Sequence, residues 1–232
     1  YNIITYARRK TNTMEQMQIL LAILVLLPFV SALLLALCGS DRMRRLVVYG
    51  SAGVLMISAV AFAVCFFSGE NLQLRFLQSG GIIDHTMLAL EAGFAVLITV
   101  LSIKYRRYYV AVLSIVQTVL TFVYELGGYK PAVQPYNLFT DQLTVIMVLI
   151  IAVVGTLITV YAVGYMRDYH NHHKEYTDRR RFFFAMLYVF LGAMFGLVLS
   201  NSLLWLYFFW EITSLVSFLL IVYTRTKEAV QN

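Results

Sequence analysis

The chain is 232 residues long, 60% hydrophobic and only 13% charged, with a formal net charge of +6 and a mean hydropathy of +0.76. A soluble domain carries about 25% charged residues, so this chain lacks the polar surface to coat a globule and is expected to sit in a lipid bilayer. Its positive charge does not point to nucleic acid. The basic residues lie in short blocks between apolar runs, the pattern of loops that flank membrane helices.

A hydrocarbon core of about 30 Å needs roughly 20 apolar residues per helix, and seven runs meet this. Residues 1–13 precede Met14, whose "MEQMQILLAIL" reads as a natural start, so the tail is expected to be an upstream or non-native extension. The first span is predicted over 18–38. "ARRK" before it and "LLLALCGS" at its end have the outline of a secretory leader. Leu37, however, precedes Cys38 where a small residue is needed, and the run exceeds a signal core. It is read as a true span that Pro28 can kink.

The second span is predicted over 46–67. An outer loop, 68–85, follows, and its "NLQLRF" alternates as an extended arm would. The third span, 86–103, carries Glu91 near its start, within snorkelling reach of the interface. The fourth covers 108–125. The next outer loop, "LGGYKPAVQPYNLFT" over 126–140, holds two glycines and two prolines and should be stiff.

Asp141 opens the fifth span, 141–164, where a negative side chain suits the positive end of a helix. It reads as a cap first and an ion entrance second. "HNHH" supplies His170, His172 and His173 beside Asp168 and Glu175, the composition of a zinc set. It lacks cysteines and i, i+4 histidine spacing, so a solvated loop is the plainer reading. "GAMFG" in the sixth span, 182–200, places Gly192 and Gly196 at the spacing of close helix packing. The seventh span is 203–223.

Apolar residues run continuously rather than alternating, and an open strand edge cannot sit in lipid. The predicted fold class is therefore an all-α polytopic membrane helix bundle of about seven transmembrane helices. Its expected divisions are the tail 1–13, four helices over 14–125, and an outer loop with three helices over 126–232. Thirteen of the eighteen Lys and Arg residues fall after the odd-numbered spans, which places those loops in the cytoplasm and the amino terminus outside. Arg8, Arg9 and Lys10 run against that assignment. Cys38 and Cys65 read as small buried hydrophobes.

The residue that calls for a function is Glu211, in "WLYFFWEITSLVSFLLI". It lies about 12 Å below the start of its span, where a carboxylate costs at least a few kcal/mol. Such a cost implies a position facing the bundle interior. Tyr207 and Ser214 fall on the same helical stripe, and Thr213 and Ser217 are placed to bond a neighbouring helix. Two readings follow. One is a proton relay that loads and releases near neutral pH; the other is an acid that stays protonated as interhelical glue. The relay is preferred, because intramembrane acids are functional by default. Glu211, Tyr207, Ser214 and Ser217 are thus the candidate ion-translocation residues. No glycine-rich phosphate loop, haem pair or cysteine cluster occurs, so no metal or other cofactor is expected on the chain.

"LGGYKPAVQPYNLFTDQLTVIMVLI", "YAVGYMRDY" and "FFFAMLYVFLGAMFGLVLSNSLLWLYFFWEITSLVSFLLI" together resemble the amino-terminal part of the antiporter-like proton-pumping subunits. That family is shared by respiratory complex I, Mrp-type sodium/proton antiporters and Ech-type energy-converting hydrogenases. The resemblance implies that Glu211 is the acid of a first half-channel, coupled to a lysine on a later broken helix, and that Asp141 matches the acid opening its span. Family members run to roughly twice as many spans, so the resemblance also implies a fragment or a split subunit. On this reading the chain is a non-catalytic proton- or sodium-translocating subunit of a redox-driven oxidoreductase complex, Ech-type hydrogenase first and complex I second. It would sit as a multi-pass protein in a prokaryotic inner membrane. Its partners would be other membrane subunits and, indirectly, peripheral subunits carrying iron–sulfur or nickel–iron centres. The alternatives are an Mrp-type sodium/proton antiporter without redox chemistry and a non-pumping membrane scaffold.

Overall fold

In the computed structural model of the protein the described residues are 2–37, 39–68, 75–78, 82–104, 106, 108–126, 136–172 and 178–224. Seven α-helices account for nearly all of them: α1 (Asn2–Leu37), α2 (Asp41–Ser68), α3 (Ile82–Lys104), α4 (Tyr108–Leu126), α5 (Gln142–His172), α6 (Arg180–Leu199) and α7 (Leu203–Ile221). Two short strands, β1 (Arg75–Gln78) and β2 (Tyr136–Phe139), pair into a two-stranded sheet. Among the described residues six of the helices are long and apolar enough to cross a membrane, and α4 contributes a shorter apolar run, Tyr108–Tyr124. The chain is an all-α, multi-pass cell-membrane protein.

The helices outrun the apolar stretches that announce them. α1 begins at Asn2, so the tail before Met14 is helical, and it passes through Pro28 without a break. α5 continues past the predicted 164 to His172, which puts His170 and His172 on its last turn rather than in a loop. The expected loop reading is corrected there; His173 and Glu175 lie outside the described residues. An apolar run marks the stretch that lipid surrounds, whereas a helix extends as far as its backbone bonds hold. The "NLQLRF" arm is realised in part, since β1 begins at its Arg75.

The chain forms two compact units. The larger comprises Tyr1–Leu74, Phe139–Leu199 and Phe209–Asn232. In it α1 packs on α6 and α2, α2 packs on α5, and α5 packs on α6. Phe62, Phe66, Phe184, Tyr188 and Phe195 are fully buried between them. Lipid tails are as apolar as leucine, so burial alone does not drive helices together in a membrane; close approach and hydrogen bonds do. Both occur. A Cβ on Gly192 would stand 2.9 Å from Cε2 of Phe29, and one on Gly196 would collide with the Phe209 ring. Each glycine thus admits an aromatic ring from a neighbouring helix. A polar seam lies beside them: Ser51 Oγ donates to Tyr188 Oη at 2.7 Å, and Tyr188 Oη donates to the Val48 carbonyl at 3.0 Å.

The smaller unit comprises Arg75–Leu138 and Ser200–Phe208. Here α3 packs on α4, and Ser114 Oγ of α4 donates to the Ala95 carbonyl of α3 at 3.4 Å. Arg106, between them, has φ 56°, the left-handed conformation that ends many helices, and its N–H donates to the Ile103 carbonyl at 3.1 Å. Phe94 of α3 meets Phe208 of α7 edge to face, with ring centroids 6.0 Å apart. α7 begins in this unit and continues into the larger one.

Candidate functional site

α7 starts cleanly. Ser202 caps it: its Oγ accepts the Trp205 N–H at 3.3 Å and its carbonyl accepts the Leu206 N–H at 3.0 Å. An N-cap hydroxyl satisfies one of the donors left over at a helix start. Glu211 is reached two and a half turns later. Leu204, Trp205, Phe208, Phe209, Ile212 and Val216 are buried, whereas Leu203, Leu206, Trp210 and Phe218 are exposed. Glu211 stands on the border between those two faces. It is half-buried, and its Oε2 is enclosed by protein.

The other candidates divide. Tyr207 and Ser217 are half-buried like Glu211, while Ser214 lies on the exposed face with Trp210. The hydroxyls that might have bonded a neighbouring helix donate to their own helix instead. Thr213 and Ser214 give their protons to the Trp210 carbonyl at 2.8 and 3.0 Å, and Ser217 gives its proton to Thr213 at 2.7 Å. This is the common way for hydroxyls to be satisfied inside a helix. Their oxygen lone pairs remain as acceptors; of the three, Ser214 shares the helical stripe of Glu211, and Thr213 and Ser217 lie off it.

Asp141 lies at the start of α5, where its Oδ1 accepts the Thr144 N–H at 2.7 Å and its carbonyl accepts the Val145 N–H at 3.1 Å. That is the geometry of a helix cap with its charge at the positive end of the dipole.

Sequence reasoning placed Glu91 within reach of the interface. In the structure Glu91 is 3% exposed and both its carboxyl oxygens are enclosed, so its carboxyl is packed within protein rather than extended to solvent. A polar knot in the smaller unit was also missed. Asp84 Oδ1 accepts from Asn137 Nδ2 and from Trp205 Nε1, the latter at 3.2 Å. Asn201 Nδ2 donates to the Tyr136 carbonyl at 2.9 Å, and the Asn201 N–H donates to the Asn137 carbonyl at 2.8 Å. Leu138 and Ser200 form an antiparallel bridge beside it. The knot holds the start of α3, strand β2 and the start of α7 together. Its only trace in the sequence is a set of polar residues at the edges of apolar runs.

A second polar cluster closes the end of the larger unit where α5 finishes and α6 begins. Arg180 binds Asp178 through Nε at 2.9 Å and Nη2 at 2.6 Å. That hydrogen bonding, first among the causes, holds the Asp178 carboxyl well below the usual carboxylate range, against the upward pull of burial. His170 points Nδ1 at the Met166 carbonyl at 3.0 Å, which requires a proton on that nitrogen. Nε2 lies 3.3 Å from Tyr223 Oη and 3.8 Å from Asp178 Oδ1. Burial pushes the Tyr223 hydroxyl up to about 12. His172 likewise directs Nδ1 at a carbonyl of its own helix, that of Asp168, at 2.8 Å. Both histidines are therefore engaged as helix-end side chains. Among the described residues no group of three His, Cys, Asp or Glu side chains is placed to hold a metal ion.

Residues 134–183 match the family described as NADH-ubiquinone oxidoreductase (complex I), chain 5 N-terminus. Among curated proteins, the chain is 34% identical over 122 residues to the Na(+)/H(+) antiporter subunit A1 of Staphylococcus haemolyticus, a match covering 53% of this chain and 14% of that protein. It is 28% identical over 161 residues to the subunit of the same name from Staphylococcus aureus strain JH9, covering 62% of this chain and 19% of that protein. The chain thus spans less than a fifth of the length of these relatives. The matched part of the chain is similar to complex I chain 5 and to Na(+)/H(+) antiporter A1 subunits.

Proposed function

We propose that the chain is the translocating part of an Mrp-type sodium/proton antiporter and that Glu211 is its proton carrier. This reverses the order expected from sequence, which put a redox-driven complex first. The relatives are antiporter subunits by name, and exchange of one cation for another needs no electron donor. In this reading Glu211 takes a proton from one side of the membrane and releases it toward the other. The hydroxyl oxygens of Tyr207, Ser214 and Ser217 accept hydrogen bonds from water or the moving proton along α7. Asp141 fixes the start of α5 and offers a negative charge at its mouth. The arginine-rich helix ends face the cytoplasm, and further membrane subunits complete the assembly.

The observation that carries the proposal is a half-buried carboxyl with one enclosed oxygen, in the middle of a 19-residue apolar helix. The test is Glu211→Gln, studied in the whole assembly in vesicles. Sodium-driven proton movement should disappear while the subunits still assemble. Exchange at the native rate would refute the role, and assembly failure in Gln but not in Glu211→Asp would mark the acid as structural.

A second reading is favoured by the match to complex I chain 5: the same module worked by a redox reaction in partner subunits, as in complex I or an Ech-type hydrogenase. It predicts that the purified assembly contains iron–sulfur or nickel–iron centres and that proton movement requires an electron donor. Exchange in an assembly free of those metals excludes it.

A further inference from the structure

At the end of the larger unit where α2 and α6 begin and α5 nears its end lies a half-open cavity of about 210 Å³. Arg44, Arg45, Arg167 and Arg180 line it with a single carboxylate, Asp41, and Phe184 forms part of its apolar wall. Arg44 is only 7% exposed. Its guanidinium binds Asp41 and lies over the Phe184 ring, 5.8 Å from the centroid. Arg180 reaches the same Asp41 from the other side, with Nη1 3.6 Å from Oδ2, while Asp178 holds its Nε and Nη2. Asp41 is thus shared between two guanidinium groups. Arg167 has Asp168 3.6 Å away, but both side chains are about two-thirds exposed, and such a pair binds little. The positive poles of α2 and α6 at this end are offset by the negative poles of α1 and α5, which finish there, so the guanidinium groups carry the attraction.

The membrane level of the cavity follows from α5. Tyr161, Tyr165 and Tyr169 stack along it, with successive centroids 6.1 and 6.2 Å apart, and Tyr161 and Tyr165 are 72% and 52% exposed. Exposed tyrosines in a row on a membrane helix sit at headgroup level, and Arg167 follows Tyr165 by two residues. The cavity, lined on α5 by Val163, Gly164 and Arg167 of the same stretch, therefore lies at about headgroup depth.

We propose that this cavity binds the phosphate of an anionic phospholipid. Guanidinium groups on several sides match the tetrahedral oxygens of a phosphate, which take paired N–H bonds, and basic hollows between membrane helices suit anionic headgroups. Arg45 and Arg167 grip the ligand; Arg44 and Arg180, held by Asp41, form the back of the site.

The test is native mass spectrometry of the detergent-solubilised assembly, titrated separately with phosphatidylglycerol, phosphatidylcholine and inorganic phosphate. Phosphatidylglycerol should be retained over phosphatidylcholine, and Arg45→Gln and Arg167→Gln should each weaken it about fivefold. The charge-matched pair Arg42→Gln and Arg181→Gln, exposed and outside the cavity, should leave retention unchanged. If the Gln variants fail to assemble, Arg45→Lys and Arg167→Lys carry the test, keeping the charge but losing the paired geometry; they too should weaken retention. Retention indifferent to positions 45 and 167, or equally reduced by the control pair, overturns the proposal. Inorganic phosphate bound with the same dependence on Arg45 and Arg167 assigns the site to the free ion and overturns the lipid.

Discussion

The larger and smaller units are both built from apolar helices but are secured differently. In the larger, glycines let aromatic rings in, and a buried tyrosine links α2 to α6; half of the apolar stretch of α6 is buried. In the smaller, only 18% of the apolar stretch of α3 is buried, and the firm ties are hydrogen bonds at one end, around Asp84 and Asn137. The comparison separates two ways of holding helices in lipid. One is steric, distributed along the helix and insensitive to water; the other is polar, local and confined to where the chain leaves the apolar region.

The comparison can be broken at several points. The largest effect is expected on transport, at the one acid the larger unit places on α7. Glu211→Gln should slow exchange about a hundredfold or more, measured as a sodium-induced pH change in vesicles, with unfolding little altered. Next is the steric lock. Gly196→Leu must displace the Phe209 ring and should cost about 1–3 kcal/mol, read as a fall in unfolding temperature; adding Phe209→Ala should return part of it. No return would mean that the ring does not set the spacing.

Smaller losses distinguish the polar ties. Tyr188→Phe removes two hydrogen bonds from the larger unit and should cost at most about 1.7 kcal/mol. Trp205→Phe removes one from the smaller unit, for about 0.6 kcal/mol. Hydrogen exchange should show this last loss around Asp84 and β2, leaving α5 and α6 protected; exchange that rises evenly everywhere would erase the distinction between the units. The smallest effect belongs to Asp178→Asn. Asp178 has a depressed folded pKa, so its contribution is complete above the unfolded value of about 3.9 and is lost as pH falls through the lower folded value. The side chain is 51% exposed, which limits the effect to below about 1 kcal/mol. The stability gap between variant and native protein should therefore close on acidification.

The helices were legible because lipid imposes length and polarity on them: the predicted 86–103, 108–125 and 203–223 differ from α3, α4 and α7 by a few residues at most. The ends of α1 and α5 were not, because once a helix enters water the apolar signal stops while the backbone bonds continue. Glu211 stood out for the same reason the spans did, as an exception to the solvent. Its place on the border of the buried face depends on which neighbours α7 meets, and a single helix does not encode that. The Asp84 knot was hidden more thoroughly. Its partners lie 53 and 121 residues away, and each alone is an ordinary polar residue near a helix end.

The paired glycines of α6 have a mechanical consequence. Phe29 of α1 seats at Gly192 and Phe209 of α7 at Gly196, one turn apart, so α6 is a cog meshed with two others. A rotation of α7 about its axis must either disengage Phe209 or drive α6 round with it. In the second case α6 carries α1 along through Phe29, and a movement two residues from the carboxyl is delivered to the far side of the unit.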